Sequence, residues 1–382
     1  MIGICIKNEQ RNYGSKLQAL ATLKAFRDLG YDYKIIKYGK GGILFKLKSL
    51  PRIFNIVFLN DRYDSWQKAY SFKKHPEVNS KIILRNELFK RFDEEHFNKD
   101  IVYVKYFKEL QKESLKYTSI VTCSDQLWSP AALGTNFYNL MFVSDKVNKV
   151  SYASSFGVSK IPWYQINRTR KYLNRIDHIS VRENKGKEIV KDLTGKDVPV
   201  LMDPVFIYTK EEWQDLVPYE NVNLPPYILC YFLGANLEYR KSVKSLADKL
   251  GLKIVTLPHL DRYVAEDEIF ADYALFDVDP KKFLNLIRCA KYVCTDSFHG
   301  CAFSIIEEKE FFIFNRYSDK SKNSKNSRID TVCENLGLSN RRVTANDNLY
   351  AKIGQSINYT DVKLKLEKYI NKSKRYLKES LK

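Results

Sequence analysis

The run Thr295-Asp296-Ser297-Phe298-His299-Gly300-Cys301-Ala302 combines residue types suited to proton transfer and anion binding. It follows a short apolar strand pattern and leads into an apolar helix pattern over residues 302–306. In open α/β sheets ligands bind at the carboxyl ends of strands. A helix that starts there turns free N–H groups toward an anion. His299 therefore stands where a phosphate or carboxylate would bind, and imidazole titrates near neutrality, which suits proton delivery. Gly300 would let a ligand or a backbone approach closely. The plain structural alternative is a histidine at a helix start; the other four histidines have no comparable context.

Arg182 closes the strand-like run Ile179-Ser180-Val181, just before a helical pattern containing Ile189 and Val190. Its guanidinium is a planar fork of donors that matches phosphate or carboxylate. Glu183 would pair with it or stand at the helix start, and a surface ion pair is the plain alternative. Cys123-Ser124-Asp125-Gln126-Leu127-Trp128 follows another strand. Asp125 and Gln126 suit sugar hydroxyls and Trp128 a sugar face; otherwise Ser124 or Asp125 caps a helix and Trp128 is core. Asn12-Tyr13-Gly14-Ser15 is a glycine-containing loop before a helix, a weak anion cradle that is neither GxGxxG nor a P-loop. Asp203-Pro204 ends a further strand and turns the chain.

The elements that must position these groups alternate. Residues 2–6, a helix carrying Leu17, Leu20, Ala21, Leu23, Ala25 and Phe26, and residues 33–36 read as β-α-β. That rhythm favours a parallel, doubly wound sheet. It breaks over about 41–110, which reads as a helical insertion: a basic, apolar stretch from Ile43 to Leu59, then helical patterns at 65–74 and 85–96. Such a segment would cover the sheet or a cleft, or lie on a membrane surface. Strand patterns return at 119–122, 149–153, 178–181 and 198–201, completing a first domain over 1–216. Pro225-Pro226 marks a linker over 217–226. A second α/β domain follows over 227–345, with strands at 227–232, 253–257, 292–295 and 311–315. Residues 346–382 form a basic tail, helical from Tyr359.

The bulk numbers agree with this division. A single core rarely grows past about 250–300 residues, and the chain has 382. Its net charge of +19 draws anionic partners. Nucleic acid is not expected among them, since no helix-turn-helix, zinc-finger or RNP-like motif occurs. Seven scattered cysteines without a CxxC pair point to reduced thiols and against zinc. Neither a secretory signal nor a membrane-spanning run is visible, so the expected location is the cytoplasm.

Taken in order, these elements resemble the polysaccharide pyruvyl transferase family. The resemblance runs from about residue 10 to about 342. It comprises Asn12-Tyr13-Gly14 with Leu17-Gln18-Ala19, Ser124-Asp125-Gln126-Leu127-Trp128, Ser151-Tyr152-Ala153-Ser154-Ser155-Phe156-Gly157, Ile179-Ser180-Val181-Arg182-Glu183, Met202-Asp203-Pro204, the His299 run, and Ser327-Arg328 with Leu336-Gly337-Leu338. Cys123 stands where glycine is usual and Cys301 where threonine is common, which leaves the acceptor the least transferable inference. The resemblance implies a GT-B-like α/β architecture, two Rossmann-type domains whose parallel sheets face a central cleft. It also implies phosphoenolpyruvate as co-substrate, a hexose or hexosamine acceptor, and roles for Arg182 and His299 in holding or activating the donor.

On that basis the donor is expected at Arg182, Ser297, His299 and Gly300, helped by Arg328 or Lys16. The acceptor is expected at Asn12, Tyr13, Ser124, Asp125, Gln126 and Trp128. His299 would supply the proton, Asp125 would orient or deprotonate the acceptor, and neither metal nor cofactor is called for. A lipid-linked acceptor would bring the chain to an anionic inner membrane face, held by Lys46 to Arg52 and by Lys372, Lys374, Arg375 and Lys378. Competing readings are a nucleotide-sugar glycosyltransferase of the same architecture, a nucleic-acid or other anion binder, and a non-catalytic scaffold.

Overall fold

Short apolar runs, each followed by a helix, pair side by side into two parallel six-stranded sheets. The computed structural model describes residues 1–8, 11–39, 56–130, 133–316 and 326–381. The first sheet contains β1 (Ile2–Cys5), β2 (Tyr33–Tyr38), β3 (Ile101–Val104), β4 (Ser119–Cys123), β5 (Asn148–Ser154) and β6 (His178–Val181). The second contains β7 (Tyr227–Tyr231), β8 (Lys253–Thr256), β9 (Tyr273–Ala274), β10 (Tyr292–Thr295), β11 (Glu310–Phe314) and β12 (Arg342–Val343). Their orders are β3-β2-β1-β4-β5-β6 and β12-β11-β10-β7-β8-β9. Each sheet thus winds outward both ways from its first strand. The switch points lie between β1 and β4 and between β7 and β10, where such folds hold ligands.

The helices that matter for the site are α1 (Tyr13–Asp28), α2 (Ile56–Lys73), α3 (Asn79–His96), α4 (Asn184–Thr194), α5 (Pro280–Cys289), α6 (Phe298–Ile306), α7 (Ser327–Leu336) and α8 (Tyr359–Ser380). α1 is buried along nearly its whole length, the polar Ser15, Lys16, Gln18 and Thr22 included. It lies between the sheets, with Tyr13 stacked on Phe89 of α3 and on Phe283 of α5, each at 5.1 Å.

The break in the rhythm is shorter than the sequence predicts. β3 falls inside the expected insertion, yet it pairs with β2 through Ile35 and Ile101. Only Val104 of its four residues is buried, so the strand shows no apolar alternation. The helices α2 and α3 form a bridge rather than a cover for one sheet. Arg85 of α3 donates to the carbonyls of Pro258 and His259 in the second domain, at 2.9 and 3.1 Å. Lys281 of α5 meets Glu95 of α3 at 2.6 Å. The stretch Lys46 to Arg52 lies outside the described residues. Residues 198–201 make a single parallel bridge, Val181 to Val200, because Pro199 has no N–H to extend a ladder. β9 and β12, two residues each, are too short to leave a periodic signal.

The C-terminal helix is docked rather than free. Tyr359, at its start, donates to the Ser304 carbonyl of the second domain at 3.3 Å. Toward its end Tyr376 donates to the Ser151 carbonyl at 2.9 Å, and Asn148 donates to the Ser380 carbonyl at 2.7 Å. Lys372, Lys374, Arg375 and Lys378 line its outer face. Leu377 is buried in the main core, so Leu377→Ala is expected to lower stability by about 2–4 kcal/mol in urea unfolding. Lys378→Ala on the exposed side is expected to stay within about 0.5 kcal/mol.

Candidate active site

The first sheet builds one wall of the site at its switch point. β4 ends at Cys123, and Ser124 and Asp125 then adopt φ of +47° and +58°. Two consecutive non-glycine residues in the left-handed region hold local strain, which the surroundings must impose. They do so by hydrogen bonds: Ser124 N–H to the Tyr152 carbonyl at 2.8 Å, and Ser155 N–H to the Asp125 carbonyl at 3.0 Å. Ser155 is itself fixed by Glu183, whose carboxylate accepts from the Ser155 hydroxyl at 2.9 Å and from Phe156 N–H at 3.0 Å. Glu183 therefore clamps the loop after β5 instead of pairing with Arg182.

A buried carboxylate organises the polar groups along this wall. Asp203 Oδ2 accepts from the Ser124 hydroxyl at 2.7 Å and forms a short ion pair with Arg182 Nη1. The same oxygen lies 3.9 Å from His299 Nε2. Arg182 Nη1 also donates to Ser124 Oγ at 3.3 Å, and Nη2 stands 3.9 Å from Asp125 Oδ1. Asp125 Oδ2 accepts from the Ser15 hydroxyl of α1 at 3.2 Å. Arg182 is 1% exposed, and its Nε and Nη2 are buried without a hydrogen-bond partner. His299 Nε2 is in the same condition.

The second sheet supplies the facing wall. Ser297 caps α6 by accepting from Gly300 N–H at 3.4 Å. Gly300 is required by packing, since a Cβ there would lie 2.5 Å from Thr295 Oγ1. Gly14 of α1 has the matching role for His299: its Cβ would sit 2.1 Å from the ring's Cγ. The Asn12–Ser15 turn is thus a seat for the imidazole rather than an anion cradle. Phe298 receives Arg182 at 4.6 Å and Arg328 of α7 at 5.6 Å from its ring centre, joining guanidinium groups from both domains on one aromatic ring.

Burial pushes the His299 imidazole down to about 4; Arg182 and Arg328 add to that, while Asp203 and Asp125 oppose it. It is therefore neutral near pH 7 when the site is empty. Burial alone would raise Asp125, but Lys7, Arg182, His299 and Arg328 outweigh it and hold the carboxyl well below the usual range. The cations Lys7, Arg182 and Arg328 and the carboxylates Asp125 and Asp203 thus surround a neutral imidazole.

Several expected residues lie elsewhere. Lys16 is 2% exposed, and its ammonium pairs with Asp93 of α3 at 2.5 Å and with the Asn8 carbonyl, so it fastens the bridge instead of reaching a donor. Trp128 is fully buried between Phe156 and Tyr172, at 5.2 and 5.6 Å, with its indole N–H on the Tyr138 carbonyl. It has no face left for a sugar. Tyr13, stacked on both sides, has none either. Asn12 caps α1 by accepting from Ser15 N–H at 3.0 Å, and Ser124 is spent on the Asp203 network. Gln126, half-buried, keeps a side-chain nitrogen without a partner. Cys123 faces Thr22 at 3.5 Å, away from the reacting groups.

Sequence patterns do not single out Lys7 or Phe298, and they give Asp203 as a strand-ending turn residue and Ser15 as part of a weak anion cradle, without the contacts that join them here. The available signals are an acid closing a strand next to a turn, and a cation just past β1. His259 has no such signal either: it is buried, with Nδ1 2.5 Å from Asp267. At the second switch point Asp296 accepts from Leu233 N–H at 2.6 Å and Gly234 N–H at 2.8 Å, and burial raises its pKa.

The architecture recurs among solved structures. UDP-GlcNAc 2-epimerase from Neisseria meningitidis bound to UDP-GlcNAc superposes with a TM-score of 0.50 at 11% identity, covering 100% of this chain and 98% of that one. A putative UDP-N-acetylglucosamine 2-epimerase from Listeria monocytogenes gives 0.51 at 10%, covering 97% and 90%. The S. aureus MnaA–UDP structure gives 0.52 at 12%, covering 96% and 90%. At such identity the likeness is one of fold, and the fold is GT-B: two Rossmann-type α/β domains. No curated protein matches the chain in sequence. The family model for polysaccharide pyruvyl transferase matches residues 12–318, a span that takes in Asp125, Arg182, Asp203 and His299, and the chain belongs to that family.

Proposed function

We propose that the chain transfers pyruvate from phosphoenolpyruvate to a sugar of a surface polysaccharide, or of its lipid-linked precursor, as a cyclic ketal. The observation that carries this is the set of unsatisfied nitrogens, Arg182 Nε and Nη2 with His299 Nε2, buried together between the two sheets. Buried donors left without partners cost about 1–3 kcal/mol each. A small anion bearing carboxylate and phosphate relieves that cost, and the edge of Arg182 not used by Asp203 fits it in bidentate fashion. The Leu233 and Gly234 amides are already taken by Asp296, which speaks against a nucleoside diphosphate at that position.

In this reading the donor's methylene carbon takes a proton, leaving C2 cationic. A sugar hydroxyl attacks C2 and its proton restores the one the acid gave to carbon; a second hydroxyl then displaces phosphate from C2, its proton leaving with the phosphate, and closes the ketal. Arg182, with Arg328, holds the donor's charge. His299 is the acid. It is neutral in the empty site, so the arriving anion must raise its affinity for a proton before it can act. Asp125, ionised and backed by Ser15, orients an acceptor hydroxyl with Gln126 beside it. The work belongs in the cytoplasm, where phosphoenolpyruvate is made. No helix among the described residues is long and apolar enough to cross a membrane.

Calorimetry is expected to show saturable phosphoenolpyruvate binding, weakened about 100-fold in Arg182→Lys, which keeps a charge for Asp203 but loses the fork. Binding of nucleotide sugars with none of phosphoenolpyruvate would overturn the reading. His299 gives the binding a signature in pH. Between its free value of about 4 and its higher value beside the anion, binding takes up a proton, so affinity rises as pH falls toward about 5. Binding enthalpies measured near pH 6 in two buffers of different ionisation heat should differ for the wild type and agree for His299→Gln. Stability follows the same sign. The unfolded histidine, near 6.5, binds protons that the folded one refuses. Between about 4 and 6.5 stability therefore rises with pH, and His299→Gln should flatten that part of the urea-unfolding curve.

A further inference from the structure

Helix α2 presents a ladder of large apolar side chains to solvent. Leu59, Tyr63, Trp66 and Tyr70 are 46, 59, 59 and 46% exposed. At about 100° per residue they fall within a stripe about 60° wide. The rings stack on one another: Tyr63 on Trp66 at 6.2 Å and 25°, then Trp66 on Tyr70 at 5.4 Å and 8°. Lys74 Nζ stands 4.8 Å from the Tyr70 ring centre. Arg62, Lys73 and Lys74, all exposed, project within about 60° of the stripe, while Asp64 falls on the other side of the helix. That other side is engaged. The Ser71 hydroxyl donates to the Tyr263 carbonyl at 3.1 Å and accepts from Tyr263 N–H at 2.9 Å, and the His75 ring stacks on Tyr263 at 3.9 Å. α2 is therefore held against the second domain by one face, with the aromatic ladder turned outward on the opposite one.

A contiguous apolar patch of this kind marks an interaction surface, and its chemistry selects the occupant. A glycan or a nucleic-acid strand would need open ring faces to stack on; these faces are turned toward each other, leaving mainly edges outward. A second copy related by a two-fold axis would set Arg62, Lys73 and Lys74 against their own equivalents. An anionic bilayer accepts both features: ring edges and Leu59 enter the headgroup boundary while the flanking cations meet lipid phosphates. The chain's net charge of +19 acts in the same direction. We propose that α2 docks side-on to an anionic lipid surface through Leu59, Tyr63, Trp66 and Tyr70. This does not depend on which reaction the cleft performs.

The test uses the full chain with vesicles of mixed phosphatidylglycerol and phosphatidylcholine, and with phosphatidylcholine alone. Co-sedimentation is expected with the mixed vesicles and about 10-fold less with the neutral ones. A variant carrying Tyr63→Ser, Trp66→Ser and Tyr70→Ser is expected to bind the mixed vesicles at least about 10-fold less, with an unchanged melting curve. Should that variant fail to fold, Trp66 reports directly in the intact chain. Trp128 and Trp213 are buried and only Trp163 is otherwise exposed, so in a Trp163→Phe background brominated lipid should quench Trp66 fluorescence. Undiminished binding by the triple variant, or unquenched Trp66, would overturn the proposal. So would a lipid-free dimer that the triple variant dissociates, since a second copy would then be what covers the ladder.

Discussion

The Asp203–Arg182 ion pair is the constraint on which the site depends. Neither side chain is exposed, and taking two charges out of water costs several kcal/mol apiece, which their attraction repays only with good geometry and further hydrogen bonds. Asp203 obtains those from Ser124 and from Val205 N–H. Arg182 obtains only one, from Nη1 to Ser124 Oγ, and its Nε and Nη2 have no hydrogen-bond partner. An apolar pair of similar volume would serve stability as well or better. The arrangement makes sense if the unpaired edge is kept for an anion, with Asp203 turning the guanidinium so that this edge is presented. The strained Ser124–Asp125 turn serves the same end, since its φ values aim the Ser124 hydroxyl at Asp203 and the Asp125 carboxylate toward Ser15.

His299 depends on both domains at once. Its ring is seated on Gly14 from one side of the interface and rises from α6 on the other. Burial at that interface sets most of its proton affinity, with charged groups that follow β4 and β6, stand at the Asp203 turn and come from α7 adding to or opposing it. The geometry therefore exists only while the domains stay in register. Asp93 with Lys16 fastens α3 to α1 within the first domain, while Arg85, and Glu95 with Lys281, tie α3 across that interface. The C-terminal helix ties it again by starting on the second domain and ending on the first. These polar ties lie over an apolar core that the two domains share, in which Tyr13 of α1 stacks on Phe283 of α5.

Local pattern was legible in the sequence. The alternation of strands and helices gave both sheets, and strand ends located Asp125, Arg182 and His299, because parallel sheets put their loops at one edge. Tertiary contact was not legible. Trp128 and Tyr13 look like sugar platforms when only residue types are considered, and only Phe156, Tyr172, Phe89 and Phe283 show that their faces are covered. Lys16 has the right charge in the right loop, yet Asp93, 77 residues away in sequence, claims it. β3 escapes a sequence reading because an edge strand buried at one position carries no period. Asp203 reads only as a turn residue, since nothing in Met202-Asp203-Pro204 reveals that Ser124, Arg182 and His299 converge on it.

The resemblance to sugar-nucleotide epimerases stops at the backbone, and the reason can be given residue by residue. Folds of this kind bring loops from two switch points to one cleft, and chemistry is then set by which groups occupy them. Here the second switch point is closed from within, because Asp296 fills the Leu233 and Gly234 amides with a carboxylate of the chain's own. At the first switch point and the start of α6, Arg182 Nε and Nη2 and His299 Nε2 keep no hydrogen-bond partner. Two carboxylates, Asp203 and Asp296, set that difference by their positions. One fixes the guanidinium of Arg182; the other fixes the Leu233–Gly234 backbone at the second switch point.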